Sequence, residues 1–112
     1  MENNNSIIRA LKGLNGDVLS SQLPDNKKNA LLYLIRRLSS YYEKQYKELT
    51  KYGVENANIK ELSYLNSIML EYVIQVSNAL IYDIDIFYMV NTIVNEITDE
   101  KKNGKIKGKR PI

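Results

Sequence analysis

An apolar pattern between residues 31 and 52 constrains the fold of this chain more than any other feature. Positions spaced alternately four and three residues apart carry Leu31, Ile35, Leu38, Tyr42, Gln45, Leu49 and Tyr52, and only Gln45 among them is polar. Such spacing places these side chains on one face of an α-helix. We therefore predict a long amphipathic helix that starts after Pro24, is capped by Asp25 or Asn26, and ends before Gly53.

Three further segments show helical spacing. A short N-terminal helix should begin near Ser6 and bury Ile7, Leu11, Leu14 and Val18. Gly13 and the pair Asn15-Gly16 weaken this segment, so a break at Asn15-Gly16 is an alternative. A second helix should follow Asn58, which forms a capping-box pattern with Glu61, and should bury Leu62, Leu65, Met69, Tyr72, Val76 and Ala79. A last helix should bury Ile86, Val90, Ile93 and Ile97.

Residues 81–88 are ambiguous, because apolar residues alternate there with Asp83 and Asp85 as they would in a strand. A single short strand would have no partner in this chain. We therefore expect a junction between two helices, with Asp83 or Asp85 as the N-cap of the second.

These segments predict an all-α fold, a small bundle of three long helices plus a short N-terminal helix. We expect one helical domain over residues 1–103 and a flexible basic C-terminal tail over residues 104–112. The apolar stretch 68–94 is interrupted by polar and acidic residues, and residues 1–5 lack the features of a signal peptide. We therefore expect no membrane span and a cytoplasmic location.

The composition argues against most catalytic chemistry. The 112-residue chain has no Cys and no His, which removes disulfides, thiolate metal sites and the usual general base. The pair Asp83 and Asp85 could hold a metal ion, but side chains two residues apart on a helix diverge, so capping is the favoured interpretation. We expect no catalytic residues, no metal site and no cofactor.

Charge is distributed in three blocks. Residues 1–60 contain ten Lys or Arg and six Asp or Glu, whereas residues 61–100 contain seven acids and no Lys or Arg. Residues 101–112 contain six bases and no acid. Such asymmetry is typical of chains that bind partners or self-associate through opposite faces.

Two groups of basic residues are candidates for contact with nucleic-acid phosphates. The first lies on the exposed face of the long helix, near Tyr41, Tyr42 and Tyr46, whose rings could stack on unpaired bases. The second lies at the C-terminal end, where the alternatives are a solubilising terminus or neutralisation of the acidic block in the same or a neighbouring chain. The predicted nucleic-acid-binding residues are Arg36, Arg37, Lys44, Lys47, Lys101, Lys102, Lys105, Lys107, Lys109 and Arg110.

The wide apolar surface of residues 62–97 suggests a protein partner or a homo-oligomer, although it could simply be the bundle interior.

The leading hypothesis is a non-catalytic helical subunit or adaptor of a nucleic-acid-handling assembly. In size and all-helical build the chain is similar to the small subunits of RNA-guided CRISPR effector complexes, which line the guide–target channel with basic residues. The alternative is a protein–protein module, such as a virus- or phage-encoded inhibitor or scaffold, without nucleic-acid contact. A small dimeric DNA-binding regulator ranks third, because no clear helix-turn-helix is present.

Overall fold

The computed structural model describes residues 6–82 and 85–103, with side chains described as far as Asp99 in the last helix. Four α-helices make up most of this part of the chain: α1 (Ser6–Leu19), α2 (Asp25–Leu49), α3 (Ile59–Tyr82) and α4 (Ile86–Asn103). A short 3₁₀ helix, Val54–Asn56, lies between α2 and α3. No strand occurs among the described residues. The all-α prediction is therefore confirmed, while the predicted tail, residues 104–112, and Asp83 lie outside the described residues.

Most of the predicted apolar positions form the core, but Leu62 of α3, which was predicted to be buried, is only half-buried. One cluster takes buried side chains from all four helices, including Leu11 of α1, Leu38 of α2, Met69 of α3 and Ile93 of α4. Each fully buried Leu, Ile or Met contributes roughly 1.5–3 kcal/mol relative to an exposed one. Burial of these faces therefore stabilises the helices against the unfolded chain.

Helix α1 is continuous, and the alternative break at Asn15-Gly16 is wrong. All four predicted positions, Ile7, Leu11, Leu14 and Val18, are buried. Their combined burial outweighs the cost of about 1 kcal/mol that each interior glycine imposes on a helix.

The structure differs from the prediction at both ends of α2. Asp25 is the first helical residue and not the cap; Pro24 precedes it, and its carbonyl accepts the backbone N–H groups of Lys27 and Lys28 at 3.0 Å. The helix ends at Leu49, one turn before the predicted end, where the Thr50 hydroxyl and backbone N–H both donate to the Tyr46 carbonyl. Tyr52 lies past the helix and is exposed. Gly53 does adopt the expected left-handed backbone, with φ of 104°.

The caps of α3 and α4 agree with the sequence pattern. Asn58 Oδ1 accepts the backbone N–H of Glu61 at 3.2 Å. Asp85 Oδ1 accepts the backbone N–H of Tyr88 at 3.1 Å. The strand alternative for residues 81–88 is wrong where the chain is described, because Ile81 and Tyr82 complete α3 and Ile86 begins α4.

Helix α2 is central in the packing. It packs against α1, α3 and α4, and α1 also packs against α3. Helices α3 and α4 follow each other in sequence but are not among the closely packed pairs. Within residues 6–82 and 85–103, no helix combines the length and apolar content that a membrane crossing requires.

Candidate nucleic-acid interface

The candidate site is the solvent-facing side of α2, which we call the α2 outer face and define by Arg36, Arg37, Ser40, Lys44 and Lys47. The opposite side of this helix buries Leu34, Leu38 and Tyr41 in the core. A helix that buries one face presents the residues about half a turn away to solvent. The four predicted basic residues of α2 therefore lie on one side of the molecule.

Lys44 and Lys47 border a surface groove of about 660 Å³. Ile8 of α1 contributes to this groove, and Ser40, Tyr46 and Thr50 of α2 also line it. Both lysines are exposed, and neither forms an ion pair with another described residue. Their ammonium groups are available to an anion that enters the groove. Glu43 also lines it and reduces its positive charge.

Arg36 borders a second, smaller groove of about 290 Å³ between α1 and α2. Lys12 of α1 lies on the same groove, with Asn15 and Ser39. Sequence reasoning missed Lys12, although its position off the buried α1 stripe marked it as exposed. Which side of α1 faces α2 depends on packing, and spacing alone does not give that information.

Arg37 differs from the other three basic residues because its guanidinium already donates hydrogen bonds within the protein. Its Nη1 donates to the Tyr33 hydroxyl at 2.7 Å, and its Nη2 donates to Thr98 Oγ1 of α4 at 3.2 Å. The guanidinium carbon lies 5.6 Å from the centroid of the Tyr33 ring. Arg37 is half-buried and links α2 to α4, so it is a weaker candidate for phosphate contact than Arg36.

Lys51 is engaged at the C-terminal end of α2. Its Nζ lies 3.0 Å from Glu48 Oε2. The hydrogen bond that Lys51 donates to this carboxylate, and then the negative charge of Glu48, raise the pKa of Lys51 above its ordinary value. Glu48 therefore offsets the charge that Lys51 would add beside the α2 outer face.

The tyrosines predicted to stack on bases lie mostly inside the protein. Tyr41 is 4% exposed and Tyr42 is 1% exposed, so neither ring face is open to a base. Tyr46 is half-buried, and its ring centroid lies 5.7 Å from that of Tyr42. The stacking prediction is wrong for Tyr41 and Tyr42, because these two residues broaden the buried side of α2. Tyr33, which that prediction left out, is exposed beside Arg37.

The remaining predicted residues lie at the C-terminal end. The backbone of Lys101 and Lys102 belongs to α4, but their side chains are outside the described residues. Lys105, Lys107, Lys109 and Arg110 also lie outside them. Among the residues that are described, no three His, Cys, Asp or Glu side chains are grouped as metal ligands would be.

Comparison with known proteins gives no relatives for this arrangement. No family model, no curated protein and no solved structure matches the chain significantly.

Proposed function

We propose that the protein is a non-catalytic helical subunit or adaptor that binds the phosphate backbone of nucleic acid through the α2 outer face and the basic C-terminal segment. The observation that carries this proposal is the exposure of Arg36, Lys44 and Lys47 on one side of a rigid helix, without ion-pair partners among the described residues. Lys12 adds a fourth cation from the neighbouring helix. Cations held on a rigid scaffold bind phosphates by releasing the counterions condensed on the nucleic acid.

The geometry favours phosphate contact over recognition of bases. Open grooves with lysines at the edge suit a charged backbone, whereas sequence readout needs side chains that reach base edges. The absence of accessible Tyr41 and Tyr42 rings also removes two stacking positions. We therefore expect binding that depends strongly on salt and weakly on sequence.

The test is fluorescence anisotropy of labelled single- and double-stranded RNA and DNA, measured over a series of salt concentrations. Each phosphate contact contributes about 0.9 to the slope of log K against log salt on duplex DNA and about 0.7 on a single strand. The double variant Lys44→Gln/Lys47→Gln should therefore lower the magnitude of the slope by about 1.4–1.8. A chain ending at Asn103 lacks four bases, and the magnitude of its slope should shrink by up to about 2.8–3.6.

The matched control is Lys60→Gln, which removes an exposed cation from the first turn of α3 and leaves the α2 outer face unchanged. This variant should keep the wild-type affinity and slope. If the full chain shows no binding even at low salt, or if Lys60→Gln weakens binding as much as Lys47→Gln does, nucleic-acid binding through α2 is rejected.

The exposed side of α3 supports a second candidate function, that of a protein–protein interaction module. Four large apolar side chains lie on the side of α3 that faces away from the core, and the residues between them on that side are Ser and Asn. These side chains are Ile59, Leu70, Ile74 and Ile81, all at least 49% exposed. An uncharged apolar helix face of this kind is typical of a docking surface. The absence of nucleic-acid binding would favour this candidate.

A further inference from the structure

Helix α3 packs mainly on α1 and α2, whereas α4 packs mainly on α2, and a groove lies between α3 and α4. The hydroxyl of Tyr72 donates to Glu96 Oε1 across it at 2.8 Å, which ties the two helices together near the middle. Two recesses, of about 370 Å³ and about 270 Å³, lie along this boundary and are both lined by Gln75; we call them together the α3–α4 groove. Its lining residues extend along α3 from Tyr64 to Asn78 and, in the antiparallel direction, from Glu96 of α4 to Asp85, which caps that helix.

The α3–α4 groove combines apolar and acidic chemistry. Largely apolar side chains line it and are half-buried or buried, among them Ile68, Tyr72 and Met89. Carboxylates line it near the middle, at Glu71 and Glu96, and at one end, at Asp85. Residues 61–100 contain no Lys or Arg, so Lys60, in the first turn of α3, is the one cation that α3 and the described side chains of α4 contain. The groove is thus suited to a peptide that carries several positive charges and an apolar side chain.

We propose that the α3–α4 groove binds the tail of this same chain, residues 104–112. The tail has four bases, Lys105, Lys107, Lys109 and Arg110, against the three carboxylates of the groove, and Ile106 is available for its apolar surface. Opposite charges a few ångström apart at a partly desolvated surface attract more strongly than they do in bulk water. Gly104 allows the chain to reverse direction directly after α4.

The length of the tail fits this assignment. Helix α4 ends at Asn103, which is about 10 Å beyond Glu96 and about 27 Å beyond Asp85 at 1.5 Å per residue. Nine extended residues span about 30 Å. A tail that folds back can therefore pass Glu96 and Glu71 and reach the Asp85 end of the groove.

This assignment goes beyond the proposed function and does not depend on it. If both are correct, nucleic acid and the groove compete for the same four cations, so the tail would be released as nucleic acid binds. The interaction is tested without nucleic acid, so failure of one proposal leaves the other measurable.

The experiment uses paramagnetic relaxation enhancement in the full chain. Because the sequence has no Cys, Gly108→Cys provides a single attachment point for a nitroxide label. We expect the backbone amide signals of Gln75, Asn78 and Thr92 to lose most of their intensity, and those of Lys12 and Ser39, on the α1–α2 side, to keep it. At 1 M salt, where the screening length is about 3 Å, the groove signals should recover.

Two controls make the test specific. Glu71→Gln removes a groove carboxylate that has no partner among the described residues and should weaken the broadening, whereas Glu43→Gln, on α2, should not. Mixing labelled unenriched chains with unlabelled ¹⁵N-enriched chains should leave the spectrum unchanged. Broadening spread evenly over the surface, broadening centred on α2, or broadening that appears in the mixed sample would each overturn the proposal.

Discussion

The carboxylate of Asp85 had two candidate roles, capping of helix α4 and binding of a metal ion. It accepts the backbone N–H of Tyr88, the third residue of α4, as an N-cap residue does. Such a bond satisfies one of the N–H groups that a helix start leaves without a partner. No third acidic ligand is grouped with it among the described residues. The geometry favours capping over the metal-binding alternative raised by the Asp83 and Asp85 pair.

Replacement of Asp85 should therefore affect stability in a graded way. Asp85→Ala should lower the free energy of unfolding by about 1 kcal/mol, because the N–H of Tyr88 loses its acceptor. Asp85→Asn keeps a side-chain oxygen at the same position and should remain close to wild type. Urea unfolding followed by circular dichroism measures both changes. An equal loss in the two variants would show that the side chain acts through its charge and not as a cap.

At the scale of residues, the sequence predicted the buried positions well and the site only in part. Spacing identifies the centre of a buried stripe, so Leu38, Met69 and Ile93 were all placed correctly. It does not determine the width of that stripe, which depends on how closely the neighbouring helices approach. Tyr41 lies about 100° around the helix from Tyr42, and only the packing shows that both are buried.

At the scale of elements, α1 and α2 show the limits of local preference. Two glycines did not break α1, because packing of its apolar face stabilises the helix by more than they cost. In α2 the apolar spacing continues past Leu49, but the chain leaves the helix there. Thr50 bonds back to Tyr46, and Gly53 then turns the chain with a positive φ. These local bonds decide where α2 ends, and the apolar spacing carries no information about them.

The glycines of α1 and of the α2–α3 connection should respond to alanine in opposite directions. A Cβ on Gly13 or Gly16 would meet nothing within 4 Å, so Gly13→Ala and Gly16→Ala should each stabilise the protein by about 0.5–1 kcal/mol. Gly53→Ala should destabilise it by about 1 kcal/mol or more, because its φ of 104° is unfavourable for any residue with a Cβ. Thermal unfolding of the three single variants gives the sign of each change. Stabilisation by Gly53→Ala would be inconsistent with the backbone described for this connection.

For the whole molecule, the buried face of each helix was predictable from the sequence, but the helices that pack against it were not. Helices α3 and α4 are adjacent in sequence, yet the close contacts of α4 are with α2. This arrangement opens the α3–α4 groove and brings Glu71 and Glu96 to its surface. Spacing within one helix cannot reveal a groove between two, because their relative position depends on side-chain packing throughout the core. For the same reason, the sequence did not predict that Lys12 and Arg36 line the same groove.

The central position of α2 predicts how the molecule unfolds. One apolar cluster contains side chains of all four helices, and α2 contacts the other three. Loss of α2 would expose the buried faces of α1, α3 and α4 together, so no single helix should persist without it. Helix content, followed by circular dichroism, and tertiary packing, followed by tyrosine fluorescence, should therefore be lost in coincident urea transitions.

Leu38→Ala, at a fully buried position of α2, should shift both transitions equally and lower the free energy of unfolding by about 2–5 kcal/mol. Leu19→Ala, at an exposed position of α1, should change it by less than about 0.5 kcal/mol. If the fluorescence transition of the Leu38 variant came first and helix content remained, the four helices would form separable units, and the single-core description would be wrong.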